Sequence, residues 1–581
     1  MTLAAERVAR AIASATNRSF AGSVVAVHGD GQLSARLSSM LRGFGARVLE
    51  SDAGCVESRL TAPRIELLIL CGAASTAHQL EARLRDQPLA DDAIVVDASD
   101  ASWSAAEWAA GDAVRPGVRS LERHAAFWMR VDPNQRPTTG AGASNAQTVV
   151  GMTGAIRGAA RIAWARRFMR VTALLARQLD AAGTLHGRRV GVSLVLEPKT
   201  AVLALALAEA GAEVAVFANA GETDAEVAGA LAQRGIAVFA DADAGPDGDA
   251  QHAAELLAWA PQLLIDDGAH LVRLAHTEHG AALRELVGVA EETTSGVRPL
   301  RAMAAEGALR VPVIAANDAR TKTLFDNVHG TGQSCVLAIA DLLDAAGIRG
   351  GQVHGGRWTV VGYGPVGVGV ARHASAMAAR VTVVEKDPVR ALSALYDGYE
   401  VGLLEAAVAS SDVVVSATGH ERTITLDALS AAAQDCVFAV AGGVEQEIEL
   451  DRAAAHGWSR TPIETHAEHL HRPDAGSVVL LAGGAGVNYT AGEGNPIEIM
   501  DLSFATQLLA LTVLAEAIGP DGRSSLAVGV HELGADGEHA IARAALAAHC
   551  APVTALPQST IDGDAHSWRE HRYRPTAGDP R

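Results

Sequence analysis

The run Thr359-Val-Val-Gly362-Tyr-Gly364-Pro-Val-Gly367-Val-Gly369 places glycines at G-x-G-x-x-G spacing, directly after an apolar strand and ahead of a helix-compatible stretch. In that order Gly362 makes a tight turn, Gly364 lets the backbone approach a pyrophosphate, and Gly367 permits close helix–strand packing. The phosphates would sit at the helix N-terminus. The next strand, Val381 to Val384, ends in Glu385, eighteen residues beyond Gly367. A carboxylate there accepts from an adenosine ribose and repels a 2′-phosphate, so NAD rather than NADP is the expected cofactor, with the neighbouring Lys386 pulling slightly the other way. A thinner echo runs from Gly29-Asp30-Gly31 to Ser34, with Glu50 and Asp52 beyond the following strand. It lacks the third glycine and puts the charge of Asp30 where phosphate should lie, so a degenerate nucleotide fold kept for assembly or regulation is expected there. His466, His469 and His471 lie within six residues. No carboxylate or cysteine at metal-ligand spacing follows, and they read as solvated imidazoles with no metal.

Parallel strands are needed to carry such turns. Apolar runs at Ser23–His28, Ile65–Leu70 and Ala93–Val96 alternate with helical stretches at Gln32–Gly43 and Thr76–Arg85, the pattern of a parallel sheet with crossover helices. After the Pro-, Gly- and Thr-rich segment Asp132–Ser144 the alternation resumes with the strand Val190–Leu196, the helix Thr200–Ala210 and the strand Glu213–Ala218, and a third block opens at Trp358–Val361. The chain has 581 residues, and its 48 basic against 67 acidic residues give a charge of −19. That balance argues against nucleic acid or an anionic membrane as partner and favours a small soluble ligand. Five cysteines without C-x-x-C spacing supply neither a disulfide framework nor a zinc knuckle, and a reducing cytoplasm is the expected location. The apolar stretch Ala201–Ala218 is broken by Glu209 and Glu213 and is too charged for a membrane span. The first twenty residues carry Arg7, Arg10 and Arg18 without an apolar core and read as an amphipathic surface helix.

From about Met152 onward the residues resemble the S-adenosylhomocysteine hydrolases (adenosylhomocysteinases). Collinear motifs carry the likeness: Asp266-Asp267-Gly268, Glu291-Glu292-Thr293-Thr294-Ser295-Gly296, Asn317-Asp318 with Thr321-Lys322, Phe325-Asp326-Asn327, Gly330-Thr331-Gly332-Gln333-Ser334, the glycine turn, Glu385-Lys386-Asp387-Pro388, Ser416-Ala-Thr-Gly419, and Val487-Asn488 followed by Ser503-Phe504. The resemblance implies an α/β fold in which a Rossmann-like NAD domain (336–494) is inserted in an α/β substrate domain (151–335 and 495–545). An additional N-terminal Rossmann-like α/β domain (1–131), a linker (132–150) and a C-terminal tail (546–581) complete the chain. It further implies redox-neutral use of NAD: hydride leaves the ribose 3′ carbon, the ketone acidifies the 4′ C–H, the 5′ substituent is eliminated, water adds, and the ketone is reduced again. In that scheme Lys322 helps deprotonate the 3′ hydroxyl, Glu292 and Asp326 hold the sugar hydroxyls, Asp267 acts in proton transfer, and Asn327 orients the site. A lysine flanked by carboxylates can have its charge tuned, and paired carboxylates suit a vicinal diol. Thr293, Thr294 and Ser295 fall to the nicotinamide half, with Gly364, Val366, Gly367, Glu385 and Asn488 also touching NAD.

The chain departs from the pattern where the family reads adenosine. The matching run is Leu194-Val195-Leu196-Glu197-Pro198-Lys199-Thr200. A proton-transfer histidine has become Val195, a threonine Glu197, and the carboxylate that accepts from the adenine amino group Lys199. Two further family histidines correspond to Gly443 and Asn495, and Arg390 stands for an asparagine. Glu197, Lys199 and Asn495 are therefore the expected substrate-binding positions. Lys199 suits a carbonyl, carboxylate or phosphate on the ligand, or else simply pairs with Glu197. The expected activity is an NAD-dependent hydrolase or lyase acting on a substrate other than standard S-adenosylhomocysteine. Its rivals are an NAD-binding regulator without turnover and a dehydrogenase or epimerase that stops after hydride transfer. The tail Trp568–Arg574 lacks the family's full Lys-to-Tyr ending, and a homo-oligomer, dimer or tetramer, is expected by analogy.

Overall fold

A computed structural model of the chain describes residues 2–29, 31–49, 64–72, 89–99, 112–115, 118–120, 127–134, 154–348, 353–442 and 446–548. The strands form three sheets. The middle sheet runs Ala237–Phe239, Glu213–Phe217, Arg189–Ser193, Leu263–Asp266, Gly288–Glu291, Pro312–Ala315 and Gly529–His531 in spatial order, every neighbour parallel. Three of its inner strands, Leu263–Asp266, Gly288–Glu291 and Pro312–Ala315, are mostly apolar and buried along their whole length, as a parallel sheet covered on both faces requires. Chain order reverses between Arg189–Ser193 and Leu263–Asp266, and at such a reversal a crevice opens outside the carboxyl ends of the strands. Each strand there hands over to a chemistry-bearing segment: Ser193 to Glu197 and Lys199, Asp266 to Asp267, Glu291 to Glu292, and Ala315 to the stretch that ends at Lys322.

The third sheet repeats the plan, with Glu400–Val401, Arg380–Val384, Arg357–Val361, Val413–Ser416, Val437–Val440 and Ser477–Leu481 parallel and Ala467–His471 and Ser459–Glu464 antiparallel. Its reversal lies between Arg357–Val361 and Val413–Ser416, beside the glycine turn. The first sheet spans Val24–His28 and Leu89–Ser99 among its strands. At its glycine echo the Ser34 hydroxyl donates to the carbonyls of Gly29 at 2.7 Å and Gly31 at 2.8 Å. Asp30, Glu50, Asp52 and the expected helix Thr76–Arg85 lie outside the described residues.

Two elements differ from expectation. The first helix, Thr2–Thr16, is docked rather than lying on the surface: Arg10 is fully buried, with Nη1 2.7 Å from Asp341 and Nη2 2.8 Å from Asp344 of the helix Thr331–Ala345. Arg7 reaches Asp344 at 2.8 Å. Arginines in an amphipathic pattern suggest solvent; here they face carboxylates presented by another helix. The longest apolar helix, Ile497–Glu516, escaped the reading because it is apolar on all sides. It lies against the middle sheet, where a Cβ on Gly288 would come within 2.6 Å of Leu514.

Removing one member of a buried ion network leaves the others uncompensated. Arg10→Met is expected to lower stability by about 3 kcal/mol, read as a fall in the urea midpoint of the N-terminal transition.

Candidate active site

Lys322 heads a π-helical turn, Thr323–Gly330. The wider winding brings its ammonium onto residues four and five positions ahead: Nζ is 2.8 Å from Asp326 Oδ2 and donates to Asn327 Oδ1 at 2.9 Å. Such turns are rare and collect at functional sites. Glu292 Oε1 lies 3.9 Å from the same Nζ and is otherwise a buried acceptor without a hydrogen bond, while Gln507 Nε2 donates to Oε2. Burial pushes the Glu292 carboxyl up to about 7, Lys322 opposing and Asp326 and Asp267 reinforcing the shift. Burial also works against the charge of Lys322, but Asp326 and Glu292 outweigh it and hold the lysine above its ordinary range, as an ammonium. Burial raises Asp267 likewise, and Thr293 Oγ1 donates to its Oδ1 at 2.7 Å. Ser295 Oγ lies 2.8 Å from Thr293 Oγ1, and Thr294 Oγ1 donates to Asn317 Oδ1 at 3.2 Å.

The same cleft is lined by Val195, Glu197, Lys199, Glu493 and Asn495. Glu197 caps the helix Pro198–Glu209 by accepting from Lys199 N at 3.0 Å and Thr200 N at 3.3 Å. The same carboxylate pairs with Lys199 Nζ at 2.7 Å, and that ammonium donates to the Glu493 carbonyl at 2.7 Å. Asn495 Nδ2 donates to Asp326 Oδ1 and to Thr331 Oγ1 at 3.1 Å; its Oδ1 accepts from Ser334 at 2.8 Å and Asn488 at 3.4 Å. Both ends of the Asn495 amide are thus occupied by protein.

At the third sheet Gly362 has φ +95°, open only to glycine at low cost. A Cβ on Gly367 would lie 1.9 Å from the Gly362 carbonyl oxygen. Gly364 precedes the helix Pro365–Ala376 with no side chain capping its first amides, and Val366 is half-buried in the first turn. Glu385 Oε2 accepts from Tyr363 N at 2.6 Å and Oε1 from Asp387 N at 2.9 Å, which fixes the carboxylate beside the turn with lone pairs to spare. Arg390 stands above the turn, its Nη1 3.5 Å from where a Gly364 Cβ would be. Asn488 Oδ1 is buried without a partner. A bare glycine cradle, a fixed carboxylate and an orphaned amide oxygen fit a dinucleotide. The two sets are drawn together where a Cβ on Gly369 would meet the Val328 carbonyl oxygen at 2.0 Å and one on Gly332 would meet Gly369 at 2.6 Å.

The profile described as S-adenosyl-L-homocysteine hydrolase matches residues 147–284, and that described as its NAD binding domain matches residues 337–494. The chain belongs to the S-adenosyl-L-homocysteine hydrolase family. Among relatives within that family, the S-inosyl-L-homocysteine hydrolase of Methanopyrus kandleri is 39% identical over 362 residues, 62% of this chain and 84% of that one. The adenosylhomocysteinase of Archaeoglobus fulgidus is 38% identical over 367 residues, 62% and 88% of the two chains. That of Thermotoga maritima is 38% identical over 366 residues, with the same coverage. NAD is accordingly the cofactor, and the chain is an enzyme of the S-adenosyl-L-homocysteine hydrolase family with an added N-terminal α/β region.

The structure brings Lys322, Asp326, Asn327, Glu292, Asp267 and Thr293 together with Glu197, Lys199 and Asn495 around one cleft. Gly362, Gly364, Val366, Gly367 and Glu385 form the second set, joined to the first through Asn488 and Asn495. Gly443 lies outside the described residues. Gln507, Glu493 and Tyr489 line or support the cleft and were missed. Gln507 sits one helical turn after Ser503, a spacing that could have found it. Gly367→Ala, whose methyl cannot clear the turn, is expected to abolish bound NAD, measured as dinucleotide released from the denatured protein.

Proposed function

We propose that this chain is an NAD-dependent hydrolase of a thioether-linked nucleoside whose base offers a carbonyl, not an amino group, to Lys199. The single observation behind the choice is the hydrogen-bond state of that corner. An ammonium has three donors; two of Lys199's go to Glu197 and the Glu493 carbonyl, leaving one for a ligand. Glu197 is spent on two backbone amides and Lys199. The corner therefore turns a spare donor of Lys199 to the ligand while the Glu197 carboxylate is engaged by two amides and that ammonium, which favours a 6-oxopurine over an exocyclic amine. A family relative named for S-inosyl-L-homocysteine supports the same substrate class.

Gly362, Gly364, Gly367, Val366, Glu385 and Asn488 would hold NAD, with Thr293, Thr294 and Ser295 toward its nicotinamide. Bound NAD supplies reversible hydride acceptance with no net redox change. Around the sugar, Lys322 Nζ stabilises the oxygen of a hydroxyl losing its proton, and Glu292 Oε1 accepts that proton; a carboxyl titrating near neutrality can take it and return it. Asp326 and Asn327 keep the ammonium in place, and Asp267, steadied by Thr293, moves the proton on the adjacent carbon. A raised carboxyl beside a fixed ammonium has no use in an idle regulator.

Purified holoprotein is expected to hydrolyse S-inosyl-L-homocysteine with a kcat/KM about tenfold or more above that for S-adenosyl-L-homocysteine. Lys199→Met should erase the preference, and the opposite order in the parent protein would overturn the reading. Because Glu292 must be ionised to accept a proton, activity should fall as pH drops through about 7. Glu292→Gln should remove that acidic limb and lower kcat by about a hundredfold or more.

A further inference from the structure

The lip of the cleft that carries Glu493 and Asn495 is held by a segment outside both spans matched to the family. Asn17 to Phe20 are the first four residues of the connector between the first helix and the first sheet. Asn17 has φ +47°, a left-handed conformation that asparagine tolerates. Its Nδ2 donates to the Glu493 carbonyl at 3.3 Å and to Glu493 Oε2 at 3.4 Å, and its own carbonyl accepts from Ile497 N at 2.9 Å. Arg18 pairs with Glu498, whose Oε2 also accepts from Ser19 N at 3.0 Å. On the other flank Gln333 Nε2 donates to the Arg18 carbonyl at 2.9 Å, and Phe20 N donates to Gln333 Oε1 at 2.9 Å.

Most of these bonds are backbone anchoring and would suit any packed connector. The amide of Asn17 is different, because the carbonyl it touches is the one to which Lys199 Nζ donates at 2.7 Å. A carbonyl oxygen has two lone pairs and can serve both donors at once. Arg161 takes the Glu493 side chain at 2.7 Å, so carboxylate and carbonyl are fixed separately.

We infer that Asn17 is a positioning residue of the substrate cleft: its side-chain amide fixes the Glu493 carbonyl and, through it, the ammonium of Lys199 that faces the base. The inference rests on Lys199 being the base contact proposed above. The added N-terminal region is then part of substrate selection by this chain, acting at the lip of the cleft and away from NAD.

The test uses full-length holoprotein with Asn17→Gly, which keeps the left-handed backbone and loses the amide, and Asn17→Asp, an isostere that places an acceptor against an acceptor. Inosine binding by calorimetry, NAD content, and kcat and KM for S-inosyl-L-homocysteine are measured. For Asn17→Gly, inosine affinity falls and KM rises about threefold to tenfold, with kcat within about twofold and NAD content unchanged. Asn17→Asp does the same more strongly, and either variant suffices should the other not fold. Combined with Lys199→Met, the Asn17→Gly loss is less than multiplicative, as coupled positions require. Unchanged affinity and KM, a loss confined to kcat or NAD content, or a fully multiplicative double variant would each overturn it. If Lys199→Met alone leaves inosine binding intact, the base contact itself fails; if only the Asn17 variants are silent, that contact stands and this inference alone fails.

Discussion

An ammonium taken out of water is costly unless opposite charge and hydrogen bonds replace its hydration. Lys322 meets that demand with Asp326 at 2.8 Å, Asn327 at 2.9 Å and Glu292 at 3.9 Å. The demand runs in both directions. Asp326 and Glu292 are buried and Asp267 half-buried, on three separate segments, and without the lysine these carboxyl groups would repel one another in a dry space. One cation therefore offsets carboxyls from two strand ends and from the π-helical turn. It leaves Glu292, 3.9 Å away, only half satisfied, with one oxygen fixed by Gln507 and the other without a hydrogen bond. Burial, reinforced by the charges of Asp326 and Asp267, lifts this half-satisfied carboxyl to about 7, where it can exchange a proton near neutrality.

The same economy of contact governs how the cleft meets the NAD sheet. Helices cross closely only where both surfaces lack side chains, and here Gly332 and Gly369 face each other, with the Val328 carbonyl over Gly369. Gly332 belongs to the helix that continues from the π-helical turn of Lys322, and Gly369 to the helix that starts at the dinucleotide turn. A methyl at either place would meet backbone of the facing segment at 2.0 or 2.6 Å, so the two would have to move apart. Asn488 and Asn495 bridge the remaining gap, leaving one buried amide oxygen on the cofactor side.

How much of this could be read from residues alone follows from the range of the forces involved. The glycine turn and its distal Glu385 are local backbone requirements within one βαβ unit, and Gly362, Gly364 and Gly367 stand as expected. Several strands were legible because buried parallel strands have an apolar run, as Glu213–Phe217 and Arg357–Val361 show. Lys199 and Glu197 were flagged as a pair, but whether the lysine keeps a donor to spare depends on the Glu493 carbonyl, 294 residues away. Arg10 could not be placed, since its carboxylate partners lie 331 and 334 residues downstream and an amphipathic helix does not announce what it docks against. Asn17 was invisible for the same reason: its role is a single amide contact across the whole chain.

The substitutions that set this chain apart from the family pattern also make physical sense together. Replacing histidines with Val195 and Asn495 removes groups that change charge near neutral pH. Asn495 gives back a fixed network, since its amide donates to Asp326 and Thr331 and accepts from Ser334 and Asn488 without a titration step. Val195 gives back only apolar wall, which dries the cleft further. A drier cleft raises carboxyl groups; of the three that rise there, Glu197 is tied to Lys199, and Glu292 and Asp267 are those to which the proposed mechanism gives proton transfer. Loss of imidazoles and elevation of carboxyls are in this sense one change: under the proposed mechanism, proton transfer passes from imidazoles to carboxyls that the dry cleft raises.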